Sequence, residues 1–167
     1  EALQILCAVL LTDQPVRVKN IPDIHDVNRL IEILGDFGVK VSKNAHGDYT
    51  FQADDINFDY IKSKEFKKDG AKLRGSIMLL GPMLARFGEA YMPTPGGDKI
   101  GRRRLDTHFQ GLVELGASFE YDEQEFFYSL SAKELVGKFI HLEEASVTGT
   151  ANIIMAAVMA KGTTTIY

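Results

Sequence analysis

Three segments of this chain are apolar on nearly every helical face, and they recur at a fixed interval. Leu3, Ile5, Leu6, Val9 and Leu10 mark the first, and Ile77, Leu79, Leu80, Met83 and Leu84 the second. Ile153, Ile154, Met155 and Val158 mark the third. Residues 2–11, 73–87 and 148–160 are the predicted helices. A helix that is apolar all round has no face to give to water, so all three are expected in the interior. Gln14, Gly88 and Gly162, which close the three segments, stand 74 residues apart, and Val18, Met92 and Ile166 keep that register. A period of this size marks a repeated supersecondary unit whose copies bury one another's apolar faces.

The same order follows each apolar helix. Residues 16–18 and 89–92 read as short strands. Residues 26–37 and 105–115 read as amphipathic helices, with Val27, Leu30, Ile31 and Leu34 or Phe109, Leu112 and Val113 on the apolar stripe. Gly38 and Gly116 stop them. Residues 39–43 with 48–53, and 117–122 with 126–130, alternate as hairpins. A third copy opens with an extended run at 163–166. Two copies and part of a third predict an α/β (α+β) fold, a single domain over residues 1–167 with apolar helices inside and sheets outside. Gly38 and Gly116 lie 78 residues apart rather than 74, so the second copy carries four extra residues, in the 95–100 connection. Loops on a fixed scaffold tolerate insertion and carry sites.

Composition narrows the function. A net charge of −4 argues against a general nucleic-acid binder, whose footprint is basic. No apolar run reaches the ~18 residues of a membrane span. The lone Cys7 cannot form an internal disulfide, and its apolar surroundings read as a buried thiol. A soluble, cytoplasmic protein is expected. The chain opens without Met inside a helical pattern and stops inside a strand pattern, so a domain excised from a longer protein is expected.

The inserted connection is rich in chemistry. Pro95 to His108 holds Gly96, Gly97 and Gly101, the carboxyl of Asp98, and the cations Lys99, Arg102, Arg103 and Arg104 ahead of a helix start. It reads as an anion-binding site with a proton-transfer group, or as a solvated charged turn. Arg74 stands at a helix start, where a cation opposes the helix dipole unless an anion or water compensates it. Ser146 or Thr148 can cap the third helix, whose free amides suit a phosphate; a cap alone is the plainer reading. His25, His46, His108 and His141 share no metal-ligand spacing, and no metal or other cofactor is implied. Lys62, Lys64, Lys67, Lys68 and Lys72 around Phe66 read as a solvated helix or loop face.

Four words carry a family resemblance: Leu73-Arg74-Gly75-Ser76-Ile77, then 80–88 (LGPMLARFG), 95–101 (PGGDKIG) and 144–150 (EASVTGT). In this order and spacing the chain resembles, along its whole length, the enolpyruvyl transferases, specifically the UDP-N-acetylglucosamine 1-carboxyvinyltransferases. The resemblance implies an inside-out α/β barrel domain, paired with a missing second domain across the substrate cleft. It implies transfer of the enolpyruvyl group of phosphoenolpyruvate to the 3-hydroxyl of UDP-N-acetylglucosamine in bacteria, the first committed step of peptidoglycan synthesis. Asp98 would be the catalytic proton donor, at a position that is cysteine in most of the family and is alkylated there by fosfomycin. Aspartate therefore implies an insensitive variant. Arg74, Arg103, Arg104, Leu105, Asp106 and Thr107, with Glu144, Ala145, Ser146, Val147 and Thr148, would bind substrate. Arg104 replaces a frequent proline and Glu144 a frequent lysine, which puts their side-chain roles in doubt. A fragment of this kind is expected to be inactive alone. A shikimate-pathway enolpyruvyl transferase, or a non-catalytic module binding a nucleotide or partner on the same scaffold, are the alternatives.

Overall fold

The computed structural model describes residues 1–94 and 105–167. Its first unit opens with α1 (Ala2–Ala8), which tightens into a 3₁₀ turn at Val9–Leu11. Strand β1 (Val16–Val18), helix α2 (His25–Asp36) and the hairpin β2 (Lys40–Ala45) and β3 (Asp48–Gln52) follow. The second unit repeats this after a 3₁₀ stretch at Arg74–Leu79. Its elements are α5 (Leu80–Phe87), β4 (Glu89–Pro93), α6 (Asp106–Glu114), β5 (Ser118–Asp122) and β6 (Phe127–Ser131). Between the units lie α3 (Phe58–Ile61) and α4 (Lys64–Gly70). The third unit holds α7 (Val147–Ala157) and β8 (Thr165–Ile166), which pairs in parallel with β7 (Phe139–Ile140).

The strand ladders reproduce the repeat. Both sheets are antiparallel, with orders β1-β3-β2 and β4-β6-β5. Val16 pairs with Phe51 and Phe51 with Val41; in the second sheet Ala90 pairs with Leu130 and Leu130 with Phe119. The offset is therefore 74 at the first strand (16 to 90), 78 at the second (41 to 119) and 79 at the third (51 to 130). The four-residue insertion falls between β4 and α6, as expected, and one more residue sits in the second hairpin turn.

Helix ends agree in one class and differ in another. Gly38 and Gly116 both follow their helix at positive φ, 94° and 109°. In each case the next amide reaches back five residues, Val39 N–H to Leu34 O at 3.0 Å and Ala117 N–H to Leu112 O at 3.1 Å. Gly88, at φ 74°, caps α5 directly. The first apolar helix ends at Leu11 as expected, its last turn 3₁₀, while the third, expected to reach residue 160, stops at Ala157.

Sequence periodicity missed α3, α4 and β7. The helices are short and capped locally, Asn57 Oδ1 accepting from Tyr60 N–H (3.0 Å) and Ser63 Oγ from Phe66 N–H (3.2 Å). They cover the outer face of the second sheet, so two of the flanking lysines do more than solvate. Lys62 Nζ bonds Glu89 (3.1 Å) over the Tyr91 ring, and Lys67 Nζ bonds Glu125 (2.9 Å) over the Phe127 ring.

The interior is helical, and the sheets lie outside it. Inner-face residues Phe51, Ala90, Met92 and Leu130 join α1, α5 and α7 in one core. Helices α5 and α7 meet backbone to backbone at Gly81, where a Cβ would stand 2.2 Å from Asn152 O. Gly111 admits the Ile153 side chain between α6 and α7 in the same way. The expectation that all three apolar helices are covered on every face needs correction. Ile5 is 50% exposed, and on α7 Ile154 and Val158 are 49% and 63% exposed. Helix α2 packs on α1 and α6 packs on α7, but no second helix of the third unit follows β8 in these 167 residues. Among the described residues no helix is long and apolar enough to cross a membrane.

Candidate functional site

Several helix starts open onto one end of the interior. Leu3 comes from α1, Asp26 from the first turn of α2, and Arg74 with Gly75 from the 3₁₀ stretch ahead of α5. Leu105, Thr107 and His108 lead α6, while Glu144 to Ser146 and Thr148 lead α7. Together they line a cavity of about 570 Å³. The repeat explains the convergence, because each unit presents the same helix end to the same side. That end carries the free N–H groups and the positive pole of the helix.

Seven of the residues expected at the site meet here: Arg74, Leu105, Thr107, Glu144, Ala145, Ser146 and Thr148. Asp106 sits in the first turn of α6 without lining the cavity. Val147, 79% exposed, turns instead into a neighbouring apolar groove with Ile154 and Tyr167. Asp98, Arg103 and Arg104 lie outside the described residues.

The cavity wall is chemically specific. Arg74 supplies a half-buried cation, and Asp26 and Glu144 supply carboxylates at the rim. Ser146, rather than Thr148, is the N-cap of α7, its Oγ accepting from Gly149 N–H at 3.0 Å. Having spent an acceptor site on that amide, the hydroxyl keeps its proton to donate. Gly149 permits the tight turn, since a Cβ there would stand 2.9 Å from Ser146 Oγ and 3.2 Å from Thr107 Cγ2.

His108 and Asn152 were missed by the sequence reading, which weighed the histidines only as metal ligands. His108 is 3% exposed, with Nε2 3.3 Å from Thr148 Oγ1 and Nδ1 3.1 Å from Asn152 Nδ2. Burial, with the nearby Arg74 charge, pushes its pKa down to about 4. Asn152, fully buried, accepts from Gly81 N–H (2.7 Å) and donates to Ile77 O (3.1 Å). A signal was present: Asn152 is a lone amide inside an apolar helix, and it follows Thr148 by one turn. Cys7 is fully buried, and burial pushes its thiol pKa far up, which removes it as a nucleophile.

Comparison with known proteins gives the arrangement a context. Residues 1–167 match the family described as EPSP synthase (3-phosphoshikimate 1-carboxyvinyltransferase). UDP-N-acetylglucosamine 1-carboxyvinyltransferase of Bacteroides thetaiotaomicron is 58% identical over 167 residues, which is 100% of this chain and 38% of that protein. The Porphyromonas gingivalis protein of the same name is also 58% identical with the same coverage, and that of Treponema denticola is 44% identical over 99% of this chain and 37% of its own length. The enolpyruvyl transferase NikO from Streptomyces tendae superposes with a TM-score of 0.76 at 18% identity, covering 98% of this chain and 37% of that one. EPSP synthase from Acinetobacter baumannii gives 0.72 at 17%, covering 99% and 37%. At such identities the two solved structures show a shared fold. The chain spans about 38% of the length of its curated relatives.

Proposed function

The chain belongs to the EPSP synthase (3-phosphoshikimate 1-carboxyvinyltransferase) family, and from that premise we propose that it is part of a UDP-N-acetylglucosamine 1-carboxyvinyltransferase. The full enzyme would move the enolpyruvyl group of phosphoenolpyruvate onto the 3-hydroxyl of UDP-N-acetylglucosamine, releasing phosphate, as the first committed step of peptidoglycan synthesis. The observation that carries this reading is the gathering of Arg74, Thr107, Ser146 and Thr148 around one cavity at the N-terminus of α7. A guanidinium, three hydroxyls and free helix amides form a cradle for an anionic sugar nucleotide. The 58% identity over the whole chain to proteins of that name supports the same acceptor.

The roles divide by chemistry. Arg74 and the α7 amides neutralise and orient phosphate oxygens, which holds the acceptor hydroxyl ready for attack. The Glu144 and Asp26 carboxylates at the rim repel misplaced anions. Asp98 is proposed to protonate the enolpyruvyl carbon as the hydroxyl attacks, and Arg103 to hold phosphoenolpyruvate. Asp98, a carboxyl rather than a thiol, would also leave the enzyme insensitive to epoxide alkylation by fosfomycin. A second domain completes the cleft in this reading.

Phosphate release by the full-length protein tests it, with phosphoenolpyruvate and each acceptor offered in turn. Release dependent on UDP-N-acetylglucosamine and lost in Asp98→Asn is expected. Release only with a shikimate phosphate would move the protein to the other branch of the family. No release from folded protein with either acceptor would leave a binding module.

A further inference from the structure

The cavity wall contains a polar chain that begins in the core, at a place where every donor and acceptor can be assigned. Gly81 N–H is a donor, so the Asn152 atom facing it at 2.7 Å is the amide oxygen. Ile77 O is an acceptor, so the atom facing it at 3.1 Å is the amide nitrogen. Two backbone groups thus fix the amide orientation without ambiguity. The second proton of Asn152 Nδ2 points to His108 Nδ1 at 3.1 Å, and that ring nitrogen has to accept. A neutral imidazole accepting at Nδ1 carries its proton on Nε2. Nε2–H then donates to Thr148 Oγ1, 3.3 Å away. With a lone pair of its oxygen engaged, the Thr148 hydroxyl has its own proton free to turn into the cavity that it lines.

We propose that Asn152 and His108 are positioning residues that hold Thr148 as a hydrogen-bond donor toward the anionic oxygens of the bound sugar nucleotide. The proposal rests on the UDP-N-acetylglucosamine reading above for the identity of the anion, and on the four hydrogen bonds for the direction of the donor. Groups that could reverse the direction are Arg74 from the 3₁₀ stretch, Asp26 from α2 and Glu144 ahead of α7. Arg74 works against an imidazolium. Protonation would also set Nδ1–H against Asn152 N–H, a donor facing a donor. The relay begins where α5 and α7 approach closely at Gly81, so the donor is referenced to a buried helix–helix contact.

The full-length protein decides it by two independent measurements. In the wild type, ¹⁵N NMR of labelled histidine should show His108 neutral with the proton on Nε2 at pH 7. A proton on Nδ1, or an imidazolium, overturns the relay whatever the substrate proves to be. For steady-state kinetics with varied UDP-N-acetylglucosamine, Thr148→Val should raise KM by about tenfold with kcat within about twofold, while Thr148→Ser keeps KM near wild type. His108→Phe should raise KM similarly and add nothing in the Thr148→Val background. Unchanged KM in Thr148→Val, or additive effects in the double variant, would refute it. Absence of activity with this acceptor would defeat the functional reading instead, and the tautomer would still decide the relay.

Discussion

Replacing Gly81 by alanine tests the packing on which both the fold and the cavity depend. A Cβ at this position would stand 2.2 Å from the main-chain oxygen of Asn152 and 2.5 Å from its Oδ1, where ordinary contact begins near 3.4 Å. Neither neighbour can swing aside: one is backbone in α7, and the other belongs to an amide whose Nδ2 donates to Ile77 O. Helices α5 and α7 would have to separate, at an overpacking cost of about 1–3 kcal/mol. The buried 2.7 Å bond from Gly81 N–H to Asn152 would stretch or break, adding roughly 1–3 kcal/mol. Alanine recovers about 1 kcal/mol in helix propensity, so the net loss is about 1–5 kcal/mol. For a chain this size 1 kcal/mol moves the midpoint by about 2–4 °C, which gives a drop of roughly 2–20 °C. Gly35, exposed near the end of α2 with nothing within 4 Å of its Cβ position, is the control. Gly35→Ala should raise the midpoint by about 1–4 °C. Thermal unfolding followed by circular dichroism compares the two variants. A Gly81→Ala midpoint equal to or above wild type would refute the backbone-contact argument.

Stability should depend on pH through His108. Its folded pKa, about 4, lies below the ordinary 6.5, so between these values the unfolded chain binds a proton that the folded chain refuses. The contribution is complete above pH 6.5 and is lost as pH falls toward 4, on the order of 3 kcal/mol in all. Urea titrations across that range should show the loss, and His108→Gln should flatten it; an equally steep variant would contradict the assignment. Arg86 Nη1 donates to Leu10 O (3.1 Å), Thr12 O (3.0 Å) and Ala53 O (2.6 Å), joining the second unit to the end of the first. Arg86→Met should cost about 2–3 kcal/mol by the same titration, with Arg86→Lys recovering part of it.

Features that depend on neighbours in the chain could be read before any coordinates. The 74-residue period follows from apolar side chains that must leave water, and the first strands of the two sheets, β1 and β4, keep it. Gly38 and Gly116 announced their helix ends because positive φ is cheap only for glycine. Ser146 as a cap needs only the amide three residues on. Of the seven expected residues that line the cavity, Arg74, Ser146 and Thr148 were also legible from their places at helix starts, while the others were named through the family resemblance.

Other features arise where distant segments meet. Phe66 and its lysines look like a solvated run until α3 and α4 lie across the second sheet, where Glu89, Tyr91 and Phe127 give them partners. Ile154 looks like core by composition, yet stays half exposed because burial belongs to the packing partner rather than to the side chain. His108 looked idle because its role depends on Asn152, 44 residues away, and Asn152 in turn on Gly81, 71 residues away. A hydrogen bond has a direction only when both ends are in place. Local pattern therefore decided which helices and strands form, and tertiary packing decided which polar atoms face each other and which way the protons point.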